Sequence, residues 1–399
     1  MSVQTVLQHY FKALKIKLRV LSKKVFNITL RLSGFKVLTS EQTIDFLSPY
    51  VIKKNPANEI VLPAIENRGA KSALIFEQNP VNTHSAFVWS FVHNGKAATQ
   101  LPHGGICIRS KVLCTDFKQS GFYQSLKKKG ARRSERAKTL IVPWTQFLDG
   151  MMFGGYYDFV LLVAAKICRI KDAIPADEFS EAKISYPVFG TPYELEFMNL
   201  LDVNLTNVRD SRDYKIDFDR VILANSGHWL YPNSGDILSL KKHIENKTAV
   251  KKRNQNRIYV SRSGRRRIVN EDELIKLLNK FDFIVIEDKP RSVIEQVEIY
   301  RNASFIIGPH GASFSNILWC EPGTHLFELF SPNYYPDYFL FMAEVLGMKY
   351  SAYYYPDNKK KLTVAEALVE DIFVSIPQLE QCLANVFQAN LQLDESICI

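Results

Sequence analysis

The sequence predicts an α/β protein whose C-terminal half is a parallel, doubly wound sheet. Three observations predict it. Short apolar runs alternate with amphipathic helical patterns from Arg257 onward. Helix-start signatures fall between those runs, at Asn270 with Glu273 and at Ser292 with Glu295. At 399 residues, with 46% hydrophobic and 23% charged side chains, the chain is long and apolar enough for two or three cores.

The clear half begins with Arg257-Ile258-Tyr259-Val260-Ser261, read as a strand. Leu274, Leu277 and Leu278 then give the helix after Asn270 one apolar face. Phe283 to Ile286 is the next strand, followed by a helix ending near Asn302. Phe305-Ile306-Ile307 and Thr324 to Leu329 complete the visible strands. Asp371 to Ile376 reads as one more strand. Pro377 opens a terminal helix carrying Leu379, Cys382, Leu383 and Val386.

The first half is less regular. Phe87-Val88-Trp89 and Ile106-Cys107-Ile108 read as strands, with turns at Asn94-Gly95 and Gly104-Gly105. The run Lys127 to Arg136 reads as an exposed basic loop. Phe159, Leu161, Leu162, Ala165 and Ile167 predict a buried helix from Tyr156. Lys183 to Val188 and Val221 to Ala224 read as strands, and Tyr193 to Leu201 as a helix. The polar stretch Lys241 to Asn256 is the expected interdomain connection.

The expected domains are a basic segment over 1–36, an N-terminal domain over 37–245, a C-terminal domain over 246–376 and a terminal helix over 377–399 that crosses back to the first domain. Within the first segment, Val6, Leu7, Tyr10, Phe11 and Leu14 recur at helical spacing, while Lys12, Lys15, Lys17, Arg19, Lys23, Lys24 and Arg31 add charge uninterrupted by any acid. Such a helix lies on an anionic bilayer surface or packs on the protein's own body with its basic face solvated. A nucleic-acid-binding arm is a third reading, and no nucleic-acid module follows it.

The net charge of +10 calls for an anionic partner. The cysteines, at 107, 114, 168, 320, 382 and 398, form no CxxC pair. That points to reduced thiols with neither zinc nor a disulfide framework, and to Cys320 as a small buried apolar residue. No signal peptide and no run long enough to span a bilayer is visible, so the expected location is the cytoplasmic side.

In a doubly wound sheet, ligands bind beyond the carboxyl ends of the strands. The loop after the third strand reads Gly308-Pro309-His310-Gly311-Ala312-Ser313-Phe314-Ser315-Asn316. Its glycines admit a ligand close to the backbone, and a helix starting near Ser313 would present free amides to a phosphate. Ser313, Asn316 and His310 add hydrogen-bonding groups. The loop after the first strand, Ser261-Arg262-Ser263-Gly264-Arg265-Arg266-Arg267, suits a pyrophosphate clamp, with Arg262 and Arg267 the chosen arginines. Glu328 is placed to accept from ribose hydroxyls. Each of these also has a plain structural reading: a strand–helix turn, a solvated basic turn, a paired acid.

Together, Arg257 to Arg262, the basic loop, Asn270 to Glu273, Ile307 to Ala312 and Pro322-Gly323-Thr324 with Phe327-Glu328-Leu329 resemble the signature of glycosyltransferase family 61. The resemblance spans about 75 residues and is diffuse before residue 150. It implies a GT-B fold, two Rossmann-like domains facing a central cleft. The second would hold a nucleotide sugar, through Arg262, Arg267, Gly308, Gly311, Ala312, Ser313, Asn316 and Glu328. The first would hold a glycan or lipid-linked glycan acceptor. It further implies inversion at the anomeric carbon, no metal or cofactor, and a role in bacterial surface polysaccharide synthesis. The family's Asn-Tyr-Tyr-His-Trp run corresponds to Gly155-Tyr156-Tyr157-Asp158-Phe159, with Asp158 where the histidine stands. An inverting transfer needs a base, so Asp158 and His310 are the expected catalytic residues. Asp158 is equally an N-cap-like acid, and the departure keeps open a catalytically inactive glycan- or nucleotide-binding homologue. A nucleic-acid-binding protein is the remaining alternative.

Overall fold

The structure, a computed structural model, describes residues 25, 28–30, 32–69, 73–93, 97–126, 130–147, 154–248, 255–356 and 362–397. Most of the basic segment over 1–36, the Asn94-Gly95 turn and Cys398 lie outside the described residues. The chain forms two compact units. The first comprises Met1–Pro56 and Ser85–Trp229, the second Ala57–His84 and Leu230–Ile399. The sequence-based boundary at 246 falls inside the second unit, and the excursion 57–84 packs with that unit too.

The first unit is built on a six-stranded sheet. Its strands are β1 (Val51–Asn55), β2 (Ala86–Val92), β3 (Arg133–Val142), β4 (Lys183–Tyr186), β5 (Val208–Asp210) and β6 (Tyr214–Ala224). They are ordered β5-β4-β3-β6-β2-β1, with β3, β4, β5 and β6 parallel and the β2–β1 edge antiparallel. The sequence-based loop over 127–136 is thus corrected from Arg133 onward. The first half of β3 is polar because it runs past the core into solvent, yet it pairs with Tyr214–Phe218. Its second half, Leu140 to Val142, is fully buried.

The predicted buried helix is present. It is α1, helical over Tyr156–Asp158, widened to i→i+5 bonding over Phe159–Ala164, and regular again over Ala165–Lys171. A helix apolar all round must be enclosed, and every residue from Asp158 to Ile170 is buried. Its two buried cations are satisfied locally. Lys166 Nζ meets Asp116 Oδ1 at 2.6 Å, and Arg169 Nη2 donates to the Asn225 carbonyl. The predicted helix near Tyr193 is α2 (Pro192–Leu200).

The longer segment of the second unit, from Leu230, opens with α3 (Ser234–Glu245). This corrects the expected linker at Lys241–Glu245: Ile237, Leu240 and Ile244 give those lysines an apolar face to ride on. The sheet follows as β7 (Asn256–Val260), β8 (Phe283–Ile286), β9 (Ala303–Pro309), β10 (His325–Phe330) and β11 (Lys349–Tyr354). All its pairs are parallel, in the order β8-β7-β9-β10-β11. Helices α4 (Glu271–Asn279), α5 (Val293–Arg301), α6 (Ala312–Trp319, of the tighter 3₁₀ type) and α7 (Tyr338–Leu346) make the connections. Tyr259, Ile307 and Phe327 face one core with Leu274, Leu277 and Leu278, while Ile258, Ile306 and Leu326 are buried on the opposite face. Burial on both faces is why these strands read as continuous apolar runs.

Three local expectations change. Ser292 and Glu295 form the predicted capping box, but Asn270 makes no side-chain cap. Its amide instead donates to the Val374 carbonyl and accepts from the Val374 amide. For the same reason Asp371 to Ile376 is no strand. Apart from a single bridge between Ile268 and Ile372, it is held by Asn270 and by the backbone of Arg267 and Val269. The terminal helix α8 (Ile376–Ile397) packs Leu379 and Leu383 into the second unit's own core.

Candidate functional site

Chain order reverses between β7 and β9: from β7 the chain moves outward to β8, then returns to β9 on the other side. Such a switch point leaves a crevice at the strands' carboxyl ends. Val260 ends β7 and Pro309 ends β9, so Arg262 and His310 emerge side by side. Arg262 Nη1 donates to the His310 carbonyl at 3.1 Å. The two turns singled out in the sequence therefore meet.

Two glycines permit the meeting. A Cβ on Gly308 would sit 2.7 Å from the Val260 carbonyl oxygen, so only glycine lets β9 lie this close to β7. A Cβ on Gly311 would fall 1.5 Å from Arg262 Nη1, in the space the guanidinium occupies.

The four arginines of the loop separate by environment. Arg262 is half-buried. Burial, with Arg266 and Arg265 nearby, brings its guanidinium down to about 10. Arg266 is 7% exposed, adopts a left-handed φ of 61° and lies 5.4 Å over the Tyr334 ring. Burial lowers its pKa too, and its Nε has no hydrogen-bond partner among the described residues. Arg265 and Arg267 are exposed. Arg267, chosen from sequence, is committed to Asp371 at 3.0 Å, and Arg266 takes the buried position instead. No sequence signal separates the neighbours; the left-handed backbone does. Two desolvated guanidiniums beside one another favour an anion between them.

His310 is buried, 4% exposed, among Phe330, Tyr334, Tyr338 and Phe339. Its Nδ1 lies 2.6 Å from Glu328 Oε1, and Glu328 Oε2 accepts from the Tyr350 hydroxyl at 2.6 Å. The carboxylate makes Nδ1 the protonated nitrogen and leaves Nε2 the unprotonated one. Burial outweighs the attraction of Glu328 and holds the His310 pKa below its ordinary value, so the ring is neutral at physiological pH. Burial, reinforced by Glu328, drives the Tyr350 hydroxyl well above the usual tyrosine range. Glu328 itself is 0% exposed with both oxygens engaged. It orients His310, and the ribose contact expected from sequence is closed to it.

The helix after the loop starts at Ala312, one residue ahead of the expected position. Ala312 and Ser313 are half-buried at its first turn, and Tyr300 donates to the Ser313 carbonyl at 3.2 Å. Asn316 is 2% exposed. Its amide donates to Gln296 at 2.6 Å and accepts from Trp319 at 3.1 Å, so it fastens α6 to α5 instead of reaching a ligand. Cys320 is fully buried, as expected of a small apolar residue.

In the first unit, Asp158 is 5% exposed. Its Oδ2 accepts the Gly154 and Gly155 amides at 2.9 and 3.1 Å, and its Oδ1 accepts Trp229 Nε1 at 2.7 Å. This is the N-cap-like arrangement, an acid reaching back over the start of α1.

The glycosyltransferase 61 family profile matches residues 42–327, most of the chain and both units. The chain belongs to the glycosyltransferase 61 family. Shorter stretches of this family member align with curated enzymes. Over 103 residues, 23% of the chain, it is 28% identical to the xylan glycosyltransferase MUCI21 of Arabidopsis thaliana. Over 99 residues it is 32% identical to the EGF domain-specific O-linked N-acetylglucosamine transferase of Drosophila melanogaster, and over 80 residues 34% identical to a beta-1,2-xylosyltransferase of Arabidopsis thaliana. The aligned stretches span 20%, 18% and 15% of those enzymes' own lengths.

Proposed function

We propose that this family 61 chain is an inverting glycosyltransferase of GT-B type, moving a sugar from a nucleotide-sugar donor to a glycan acceptor. The second unit takes the donor and the first the acceptor. The observation that carries the reading is the junction of the Arg262 and His310 turns at the switch point of a parallel sheet. Arg262 and Arg266 supply desolvated positive charge for the diphosphate, and the first turn of α6 supplies amides. In the transfer, the acceptor hydroxyl oxygen bonds to the anomeric carbon as the bond from that carbon to the phosphate oxygen breaks, and the hydroxyl proton passes to a general base, His310 Nε2 or Asp158. The diphosphate leaves with the electron pair, and its new charge is what the two guanidiniums stabilise, without a metal. His310 offers Nε2 to the donor, held in place by Glu328. Asp158 anchors the start of α1; taking the acceptor proton would compete with three donors already aimed at it.

A lipid-linked acceptor and a role in surface polysaccharide synthesis belong to this proposal as its biological setting. The test is a thermal-shift panel of nucleoside diphosphates with wild type, Arg262→Ala and Arg266→Ala. Ligand that binds only the folded state raises the melting temperature. One base should give a shift that both variants abolish. A flat response across the panel refutes the reading. A nucleotide shift without sugar turnover favours the inactive homologue.

A further inference from the structure

The sequence leaves three readings for the basic N-terminal segment: a bilayer surface, the protein's own body or a nucleic-acid-binding arm. The described residues separate them by face. Val25, Ile28, Leu30 and Leu32 are helical. Leu30 is half-buried and packs on the cluster of Cys107, Val112 and Phe122. That is the helix's contact with its own unit. Val25, Ile28 and Leu32 follow the spacing of one helix face, opposite Leu30. They are exposed by 56%, 58% and 84%, and Phe35 just beyond the helix by 40%. A helix that served only to cover the unit would turn these residues inward, since burying each gains about 1.5–3 kcal/mol. Alongside, a cavity of about 400 Å³ is lined by Leu30, Phe35, Val37, Leu38 and Tyr123 with Lys118, so apolar surface continues into the unit.

Charge identifies what covers the stripe. Eight lysines and arginines precede Glu41, the first acid of the chain. A second copy of this segment would bring like charge against like charge. An anionic bilayer supplies both an apolar phase for the stripe and counter-charge for the cations. We propose that the helix face of Val25, Ile28 and Leu32, with Phe35 just beyond it, docks the protein on an anionic bilayer surface.

The test is co-sedimentation of the full chain with vesicles of phosphatidylcholine alone or mixed in equal parts with phosphatidylglycerol. The wild type should pellet with the anionic vesicles, and high salt should release it. Ile28→Asp/Leu32→Asp should weaken pelleting by roughly tenfold or more. Both side chains are exposed, so the fold should survive, which an unchanged melting temperature verifies. Val364→Asp, at an exposed site of 80% in the second unit, should pellet as wild type. No pelleting with anionic vesicles overturns the proposal, as does equal pelleting with neutral ones. Unchanged pelleting of the Ile28→Asp/Leu32→Asp chain overturns the apolar stripe. Tight retention of a random RNA oligonucleotide with no vesicle binding would assign the cations to nucleic acid. None of these outcomes touches the nucleotide response of the second unit, so the two proposals fail separately.

Discussion

Substituting Gly311 by alanine tests the junction of the two turns without touching a charged residue. The backbone there is extended, with φ of 176°, so alanine introduces no backbone strain. The added Cβ would stand 1.5 Å from Arg262 Nη1 and 2.8 Å from its Cζ. An ordinary contact needs about 3.5 Å, so the guanidinium must retreat by about 2 Å. That exceeds what its 3.1 Å bond to the His310 carbonyl can absorb, and the bond breaks. A displaced Arg262 no longer meets the diphosphate. Losing one charge-assisted contact costs about 2 kcal/mol, or roughly thirtyfold in Kd. Stability should change by only about 1 kcal/mol, because the freed guanidinium regains water. Gly264→Ala, in the same loop with nothing within 4 Å of its Cβ, is the matched control. Calorimetric titration with the nucleoside diphosphate that shifts the melting temperature most should show Gly311→Ala weakened and Gly264→Ala unchanged. A Gly311→Ala protein with wild-type Kd would refute the junction as a phosphate site.

Two further predictions follow from buried titratable groups. Glu328→Gln preserves shape but places an amide opposite His310 Nδ1, which moves the ring proton to Nε2. Turnover should fall roughly ten- to a hundredfold with donor Kd nearly unchanged, and the ring's nitrogen NMR shifts should report the other tautomer. An unaltered tautomer would contradict the orienting role. His103 and His325, one in each unit, are held neutral by burial, with pKa lowered from 6.5 to about 3. Below pH 6.5 the unfolded chain binds a proton at each site that the folded chain refuses until about pH 3. Stability fully present above pH 6.5 is therefore lost on acidification, by about 2 kcal/mol per histidine at pH 5. The melting temperature should fall with pH over this window, less steeply in His103→Gln and His325→Gln; identical slopes would count against buried neutral rings.

The parallel sheet was legible because β7, β9 and β10 are buried on both faces and so written as unbroken apolar runs, with Ser292 and Glu295 marking a helix start between them. β3 was not, since its first half projects into solvent and alternates charge. β11 escaped notice because Lys349-Tyr350-Ser351-Ala352-Tyr353-Tyr354 buries tyrosine and serine where an aliphatic run was sought. At the site, the two loops and Gly311 could be read from strand ends and glycine. Arg266 could not be told from Arg267, because a left-handed backbone angle, not composition, buries one and exposes the other. The fates of Glu328, Asn316 and Asn270 share one cause. Their partners Tyr350, Gln296 and Val374 lie 22, 20 and 104 residues away, and no local pattern announces such pairs.

The excursion 57–84 bears on how the chain is made. Asn67 caps the edge of β11: its amide donates to the Tyr354 carbonyl at 3.1 Å and accepts from the Tyr354 amide at 3.0 Å, across 287 residues of sequence. Ile75 joins Phe330, Ala352 and Tyr354 in the same cluster. As the polypeptide leaves the ribosome, these early residues wait, without their lasting neighbours, until Tyr354 has emerged. The segment 57–84 thereby settles only after β11 has been made, and a clone starting at Leu230 would carry a sheet whose final strand lacks its border.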